Sequence, residues 1–467
     1  MSDNNPSFAQ ITNRETGLQR HLSRRQMTMI ALGGAIGTGL FLGSGFAISF
    51  AGPSVLVSYA IGAVIALLLI ACLAEMTVAH PGGGSFGALA EHYVHPLAGF
   101  LIRYAYWAAN VLVIGTEVTA IALYMQYWFP DSPGWFWIVG FSACLVLANA
   151  MSVKVFGTVE YWFSSIKVIA IMAFILLGSY LLISAPPTRD IGFHHYVSHG
   201  GFFPKSGWGM WLAVIVALFS YLSIEMIAVA AGEAENPEQA ITGAFRSALL
   251  RLVIFYMLTL ALVLAIVPWT QAGQDKSPFV LTMEALQIPG AAGVINFVIL
   301  IAALSAMNSQ LYAATRMMFS LARGGFAPAG LGQLNRQGSP SRALMLSCAG
   351  IAIATVLSVF YPSNAFMLMM AISMFGGMFT WLMIFITHYF FRRAWDRAGK
   401  DRLAFRMWGF PWLTLLGAGL MLALMITTAF TQEFAMTLVT GIPFLIALCI
   451  LYFVRHRKAK AAVKIED

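Results

Sequence analysis

The stretch Gly33-Gly34-Ala35-Ile36-Gly37-Thr38-Gly39 lies inside an apolar run covering residues 27–49. A run of that length reads as a membrane-spanning helix, because about 20 apolar residues cross the hydrocarbon core. Its glycines pull the other way, each weakening a helix by up to about 1 kcal/mol relative to alanine. Two readings stay open. The glycines can let neighbouring helices pack closely, as small residues do in membranes. Alternatively the segment is unwound at mid-membrane, where free N–H groups and a half-helix N-terminus can hold a carboxylate. Irregular backbone at that depth needs cover from protein or a cavity.

The rest of the chain supports the membrane reading. Its 467 residues are 59% hydrophobic and only 10% charged, against about 25% charged in a soluble domain. A soluble globular protein, a disordered chain and a nucleic-acid-binding domain are excluded. Twelve apolar runs are legible: 27–49, 54–79, 98–128, 134–152, 161–184, 209–232, 248–270, 289–320, 343–361, 365–391, 408–430 and 434–454. The third and eighth exceed an upright span and are expected to tilt. Ala51-Gly52-Pro53 and Pro130-Asp131-Ser132-Pro133 supply turn signals between runs.

With the N-terminus placed in the cytoplasm, 23 of the 27 Lys and Arg residues fall inside. Arg189, Lys205 and Lys276 fall outside, and Lys167 lies within a span. This positive-inside bias supports an even number of spans with both ends cytoplasmic. It also assigns the net charge of +8 to a belt beside anionic lipid rather than to nucleic acid. The first 25 residues contain no apolar signal region, so the first run is expected to direct insertion.

The expected fold is an all-α polytopic membrane protein with twelve transmembrane helices. A five-plus-five repeat fits the count. Residues 27–184 form the first repeat and 209–391 the second, with two further helices in 408–454. Residues 1–26 and 455–467 are the cytoplasmic tails. In that scheme run six pairs with run one, and its segment Phe219-Ser220-Tyr221-Leu222-Ser223-Ile224-Glu225 is the counterpart of the glycine stretch.

Ionisable residues deep in a membrane are costly and mark function or pairing. Glu75, Glu117, Lys167 and Glu225 qualify. Glu75 sits near a span end and can reach the interface. Lys167 either snorkels to the cytoplasmic face or is buried and exchanges protons. The four cysteines are scattered through apolar runs and read as small buried hydrophobes. The Pro81-Gly82-Gly83-Gly84 loop reads as a turn, and Glu233–Glu238 as a cytoplasmic acidic turn. His194, His195 and His199 read as a solvated outer loop. No metal or cofactor is expected.

Several motifs together resemble the amino acid permeases of the amino acid–polyamine–organocation superfamily, in their bacterial branch. They include Gly33–Phe41, Ala51-Gly52-Pro53-Ser54, Met125–Pro130, Ser152–Gly157, Tyr161–Lys167, Ala231–Pro237 and Ser277–Val280. The resemblance runs from about residue 17 to 455 in order and spacing. It implies two inverted five-helix repeats of the leucine-transporter type and proton-driven amino acid uptake across a bacterial cytoplasmic membrane. It implies that Ala35, Ile36, Gly37, Thr38 and Gly39 bind the substrate carboxylate. Phe219 then stands at an aromatic gate, and carbonyls around Phe219, Tyr221 and Leu222 receive the ammonium. Lys167 matches a lysine that replaces a sodium ion of coupled relatives. Glu117 and Glu225 match acidic positions of helices three and six. Ser223 departs from the usual glycine, which narrows the site or adds a hydroxyl.

The expected function is a proton-coupled importer of a neutral amino acid, with a proton-independent exchanger as the alternative. The partners are the amino acid, protons and lipid. The side chain carried and the oligomeric state are left open, a monomer being compatible. No Ser-His pairing or His/Asp/Glu cluster at a membrane face suggests an enzyme.

Overall fold

In a computed structural model, the structure describes residues 8–13, 23, 26, 29, 36–80, 85–151, 153–186, 189–230, 253–272, 277–285, 287–361, 365–400, 403 and 405–466. Gly33, Gly34, Ala35, the Pro81–Gly84 loop and the Glu233–Glu238 turn lie outside the described residues. The described residues are helical or irregular, with no strand among them.

The helices are α1 Phe8–Asn13, α2 Ser44–Ala51, α3 Val55–Ala79, α4 Phe86–Tyr93, α5 Pro96–Gln126, α6 Gly134–Ala150, α7 Val153–Ser184 and α8 Ser206–Tyr221. They continue as α9 Met226–Ala230, α10 Val253–Ile266, α11 Trp269–Ala272, α12 Pro278–Ala285 and α13 Ala291–Arg323. The last are α14 Ser341–Ser347, α15 Ala349–Phe360, α16 Ala365–Arg397, α17 Trp412–Thr427 and α18 Ala435–Glu466. A π-helical turn, Gly39–Gly43, leads into α2. Eight helical segments of the described residues are long and apolar enough to cross a membrane, and three shorter apolar helices accompany them.

Local sequence explains the element ends. Pro96 opens α5, where its missing N–H costs nothing, and the His95 imidazole accepts from the Leu97 amide at 3.1 Å. The chain turns from α2 into α3 at Gly52, whose φ is +63°. A Cβ there would lie 2.3 Å from Pro204 Cγ, so both space and conformation demand glycine.

Helix α5 packs between α13 and α16 in the interior. Close approach is built from small residues: a Cβ on Gly376 of α16 would lie 2.5 Å from the Ala105 carbonyl oxygen of α5. Helix α7 shows how outer helices are made. Phe156, Glu160, Ser164, Lys167, Ile171 and Phe174 form its buried stripe. Trp162, Ile169, Leu176, Tyr180 and Ile183 are exposed on the other side, Ile183 at 85%. An apolar face of that kind suits lipid, not water.

Several boundaries differ from those read off the sequence. The fifth run was expected at 161–184, but α7 begins at Val153 and so includes Glu160. Helix α16 continues past residue 391 to Arg397, and α18 runs through the expected tail 455–467 as far as Glu466. Charge ends an apolar run but not a hydrogen-bonded helix, which explains all three. The sixth run, 209–232, divides between Tyr221 and Met226. In the seventh, 248–270, the described residues form α10 and then α11.

Candidate functional site

Two interruptions of helical structure meet inside the molecule. Ile36 and Gly37 are not helical, and regular structure resumes at Gly39 behind Thr38. The second interruption is Leu222–Glu225, between α8 and α9. There Ser223 has φ +81°, a conformation that an L-residue adopts at a cost of about 1–2 kcal/mol.

Glycine decides how closely the two approach. A Cβ on Gly39 would lie 2.7 Å from Ser220 Cα and 3.0 Å from its nitrogen. A Cβ on Gly37 would lie 2.9 Å from Ala306 Cβ of α13 and 3.0 Å from Glu117 Oε1 of α5. Both readings of the glycine stretch therefore apply among the described residues: the backbone is irregular, and it is closely packed.

A cavity of about 10 Å³ lies at this junction, lined by Gly37, Gly39, Val113, Glu117, Phe219, Leu222, Ser223, Ala306 and Gln310. That is room for about one water. Phe219 is 6% exposed and closes one side.

Several side-chain polar atoms around the cavity are paired with one another. The Thr38 hydroxyl donates to Glu117 Oε1 at 2.9 Å. Glu117 Oε2 is buried without a hydrogen-bond partner. The Gln310 amide donates to the Ser223 hydroxyl. Glu225 accepts from the Ser223 amide at 3.2 Å and from Trp381 Nε1 at 3.0 Å. Glu225 thus braces the second interruption and ties it to α16.

Lys167 sits behind the first interruption rather than in the cavity. It is fully buried, so it does not snorkel. Its ammonium donates to the Ile36 carbonyl at 3.0 Å and to Ser305 Oγ at 2.8 Å. Ser305 in turn donates to Glu160 Oε1. Glu160 also accepts from Ser164 at 3.1 Å and from Asn308 at 3.0 Å. A buried charge is tolerated only with such partners.

Of the residues singled out by sequence, Gly37, Gly39, Phe219, Leu222, Ser223 and Glu117 line the cavity. Ile36 and Thr38 do not line it but hold Lys167 and Glu117. Ala35 lies outside the described residues. The Tyr221 side chain points away and donates to the Tyr59 carbonyl at 3.2 Å. Glu75 does not reach the interface. It is buried, paired with Arg392 and His388, and accepts from the Met407 amide at 2.9 Å.

Sequence reasoning missed Val113, Ala306, Gln310 and Glu160. Val113 and Glu117 are spaced i, i+4, as are Ala306 and Gln310, so each pair shares a helix face. Glu160, Ser164 and Lys167 follow the same rule at spacings of four and three. Starting the fifth run at residue 161 removed the acid from view.

Comparison with known proteins identifies the family of the chain. Residues 26–465 match the amino acid permease family. The gamma-aminobutyric acid permease of Bacillus subtilis is 36% identical over 452 residues, which covers 96% of each chain. A putative histidine permease of the same organism is 37% identical over 451 residues, covering 95% of each. The aromatic amino acid transport protein AroP of Salmonella typhimurium is 37% identical over 443 residues, covering 95% of this chain and 97% of that one. Transport rather than enzyme catalysis is common to these names. With its apolar helices and lipid-suited outer faces, the chain belongs to the amino acid permease family and is a multi-pass membrane transporter of amino acids.

Proposed function

We propose that the protein imports a zwitterionic amino acid with a neutral side chain by proton-coupled alternating access. The observation that carries this reading is the meeting of the two interrupted helices at Gly39 and Ser220, with Lys167 hydrogen-bonded to the first. Irregular backbone offers N–H groups to a carboxylate on one side and carbonyls to an ammonium on the other. The carboxylate goes to the Ile36–Gly39 segment, together with Ala35, and the ammonium to carbonyls around Phe219, Tyr221 and Leu222. Phe219 closes over the substrate.

The cavity of about 10 Å³ is too small for an amino acid, so binding requires the two halves to separate. The proposed movement is a rocking of one repeat, 27–184, against the other, 209–391. Dividing the first long segment at Gly52–Ser54 and adding the three shorter apolar helices supports twelve spans. The charge bias supports cytoplasmic termini, and the bacterial relatives support a cytoplasmic-membrane location.

Coupling is proposed to run through Glu117, Lys167 and Glu225. Glu117 holds the Thr38 hydroxyl that a substrate carboxylate needs. A carboxylate that arrives there displaces Glu117, whose other oxygen has no partner. A proton on the displaced acid removes its charge from the interior. A ligand shifts a conformational equilibrium only through its differential affinity, and the proton supplies that difference.

The relatives are named for gamma-aminobutyric acid, histidine and aromatic amino acids, so the side-chain subsite varies on a shared frame. Gln310 and Ser223 give this chain a polar side to that subsite. Counterflow in proteoliposomes tests the assignment. A labelled neutral amino acid is expected to exchange against the same unlabelled compound. Exchange with only cationic or anionic amino acids contradicts it.

A second reading has its own observation. The Lys167 ammonium is held by Ile36 and Ser305. A cation fixed in that way serves equally as a permanent strut in an exchanger without net proton coupling.

A further inference from the structure

The loop between α7 and α8 holds a cluster outside the site described above. Asp190 Oδ1 lies 2.7 Å from His194 Nε2 and 3.3 Å from His195 Nε2. The ligand-competent atoms of the three residues all lie within 4.8 Å of one another. Sequence reading passed over this acid, because Asp190 lies outside the short helical turn Phe193–Tyr196 and only the fold brings it against His194 and His195.

We propose that Asp190, His194 and His195 form a binding site for a borderline transition-metal ion such as Zn2+. Tetrahedral zinc with bonds of about 2.0–2.1 Å places its ligand atoms about 3.3 Å apart. His195 already stands at that separation from Asp190, and His194 needs to withdraw from 2.7 Å to the same distance. Two imidazoles and one carboxylate favour zinc, nickel or copper over magnesium or calcium, which prefer all-oxygen sets.

His195 supplies an independent observation. It is 1% exposed, yet neither ring nitrogen makes a hydrogen bond. Its approach to Asp190 is close but not aligned as a hydrogen bond. A buried polar group left without a partner costs about 1–3 kcal/mol. A metal ion bound at Nε2 gives that nitrogen a partner.

The surroundings suit a cation. The Arg189 guanidinium turns away to Gln287 Oε1 at 2.6 Å, and Lys205 lies over the Trp269 ring. The backbone of the site is fixed from several sides. The Gly192 amide donates to the Ala265 carbonyl at 2.8 Å, and the Tyr196 hydroxyl to the Ala261 carbonyl at 2.8 Å. Trp269 Nε1 donates to the His199 carbonyl at 3.1 Å. Such anchoring holds ligands near their productive geometry before the ion arrives. Asp190 and His194 are exposed at 76% and 51%, so the ion has an entry path and water can complete its coordination.

The test uses the full-length protein in detergent, freed of affinity tag and stripped with chelator, titrated with Zn2+ alone by calorimetry near neutral pH. One saturable site is expected. Asp190→Asn and His194→Ala alter exposed side chains, and each is expected to weaken binding at least about tenfold, which corresponds to the loss of one ligand or its partner. Co2+ gives a second readout, the visible absorption of a low-coordinate site, which both variants should lose. Absence of saturable Zn2+ binding overturns the proposal. So does binding that survives unchanged in both variants.

Discussion

The Lys167 ammonium donates to the Ile36 carbonyl at 3.0 Å, across 131 residues of sequence. This bond joins the fifth apolar run to the irregular segment of the first. In the proposed function it is the point where a protonation event reaches the backbone assigned to the substrate carboxylate. Lys167→Ala removes the donor and leaves the Ile36 carbonyl and Glu160 without their cation. Uptake driven by a pH gradient in proteoliposomes is expected to be lost or to become independent of the gradient. An unchanged pH dependence contradicts a coupling role for this lysine.

Thr38→Val keeps the side-chain shape and deletes the hydroxyl that donates to Glu117. Hydrogen bonds to charged groups contribute about 1.5–3 kcal/mol, so apparent substrate affinity is expected to fall about tenfold or more. The measurement is KM for uptake in proteoliposomes. An unchanged KM contradicts the proposed contact.

Gly39→Ala places a methyl 2.7 Å from Ser220 Cα, where only backbone can yield. Overpacking of this kind costs about 1–3 kcal/mol, and uptake is expected to fall about tenfold or more as the two interruptions separate. Gly140→Ala is the control, because nothing lies within 4 Å of its added Cβ. Initial uptake rates, normalised to the amount of reconstituted protein, compare the two. Equal rates contradict the close approach.

Ser223→Gly acts on a residue at φ +81° whose hydroxyl accepts from Gln310. Glycine removes a conformational cost of about 1–2 kcal/mol, so thermal stability is expected to hold or rise. The lost hydroxyl changes the polar side of the cavity. Competition by the twenty amino acids against the labelled substrate is expected to give a different order of preference. An identical order removes Ser223 from the specificity account.

Much of this architecture was legible because hydrocarbon is an exacting solvent. Long apolar runs place α3, α5 and α6 within a few residues. The irregular first segment announced itself through its glycines. The break after Tyr221 had no glycine of its own and was located by its place in the expected repeat. Glu160 was hidden because its charge ended an apolar run, although Ser164, Ser305 and Asn308 satisfy it within the helix bundle. Val113, Ala306 and Gln310 were unreadable for another reason. Which face of a long helix meets a cavity depends on its neighbours, and α5 and α13 are buried nearly all round.

Glu160→Gln keeps the volume and removes the negative charge held beside Ser305 and Lys167. It turns an amide N–H₂ toward either Asn308 or Ser305, both of which donate to the native carboxylate. Breaking a buried charge network costs about 3–5 kcal/mol, so thermal stability in detergent is expected to drop. The pH profile of residual uptake is expected to change as well. A lower stability with an identical pH profile would confine Glu160 to a structural role.

Net proton movement is the most direct measure of the central claim. Purified protein is reconstituted into vesicles that enclose a pH-sensitive dye, with no imposed gradient, and a mixture of neutral amino acids is added outside. Internal acidification that follows substrate addition, collapses with a protonophore and is absent in Lys167→Ala is the predicted result. Substrate entry with no change in internal pH would contradict proton coupling, and one-for-one exchange with no such change would make the protein an exchanger.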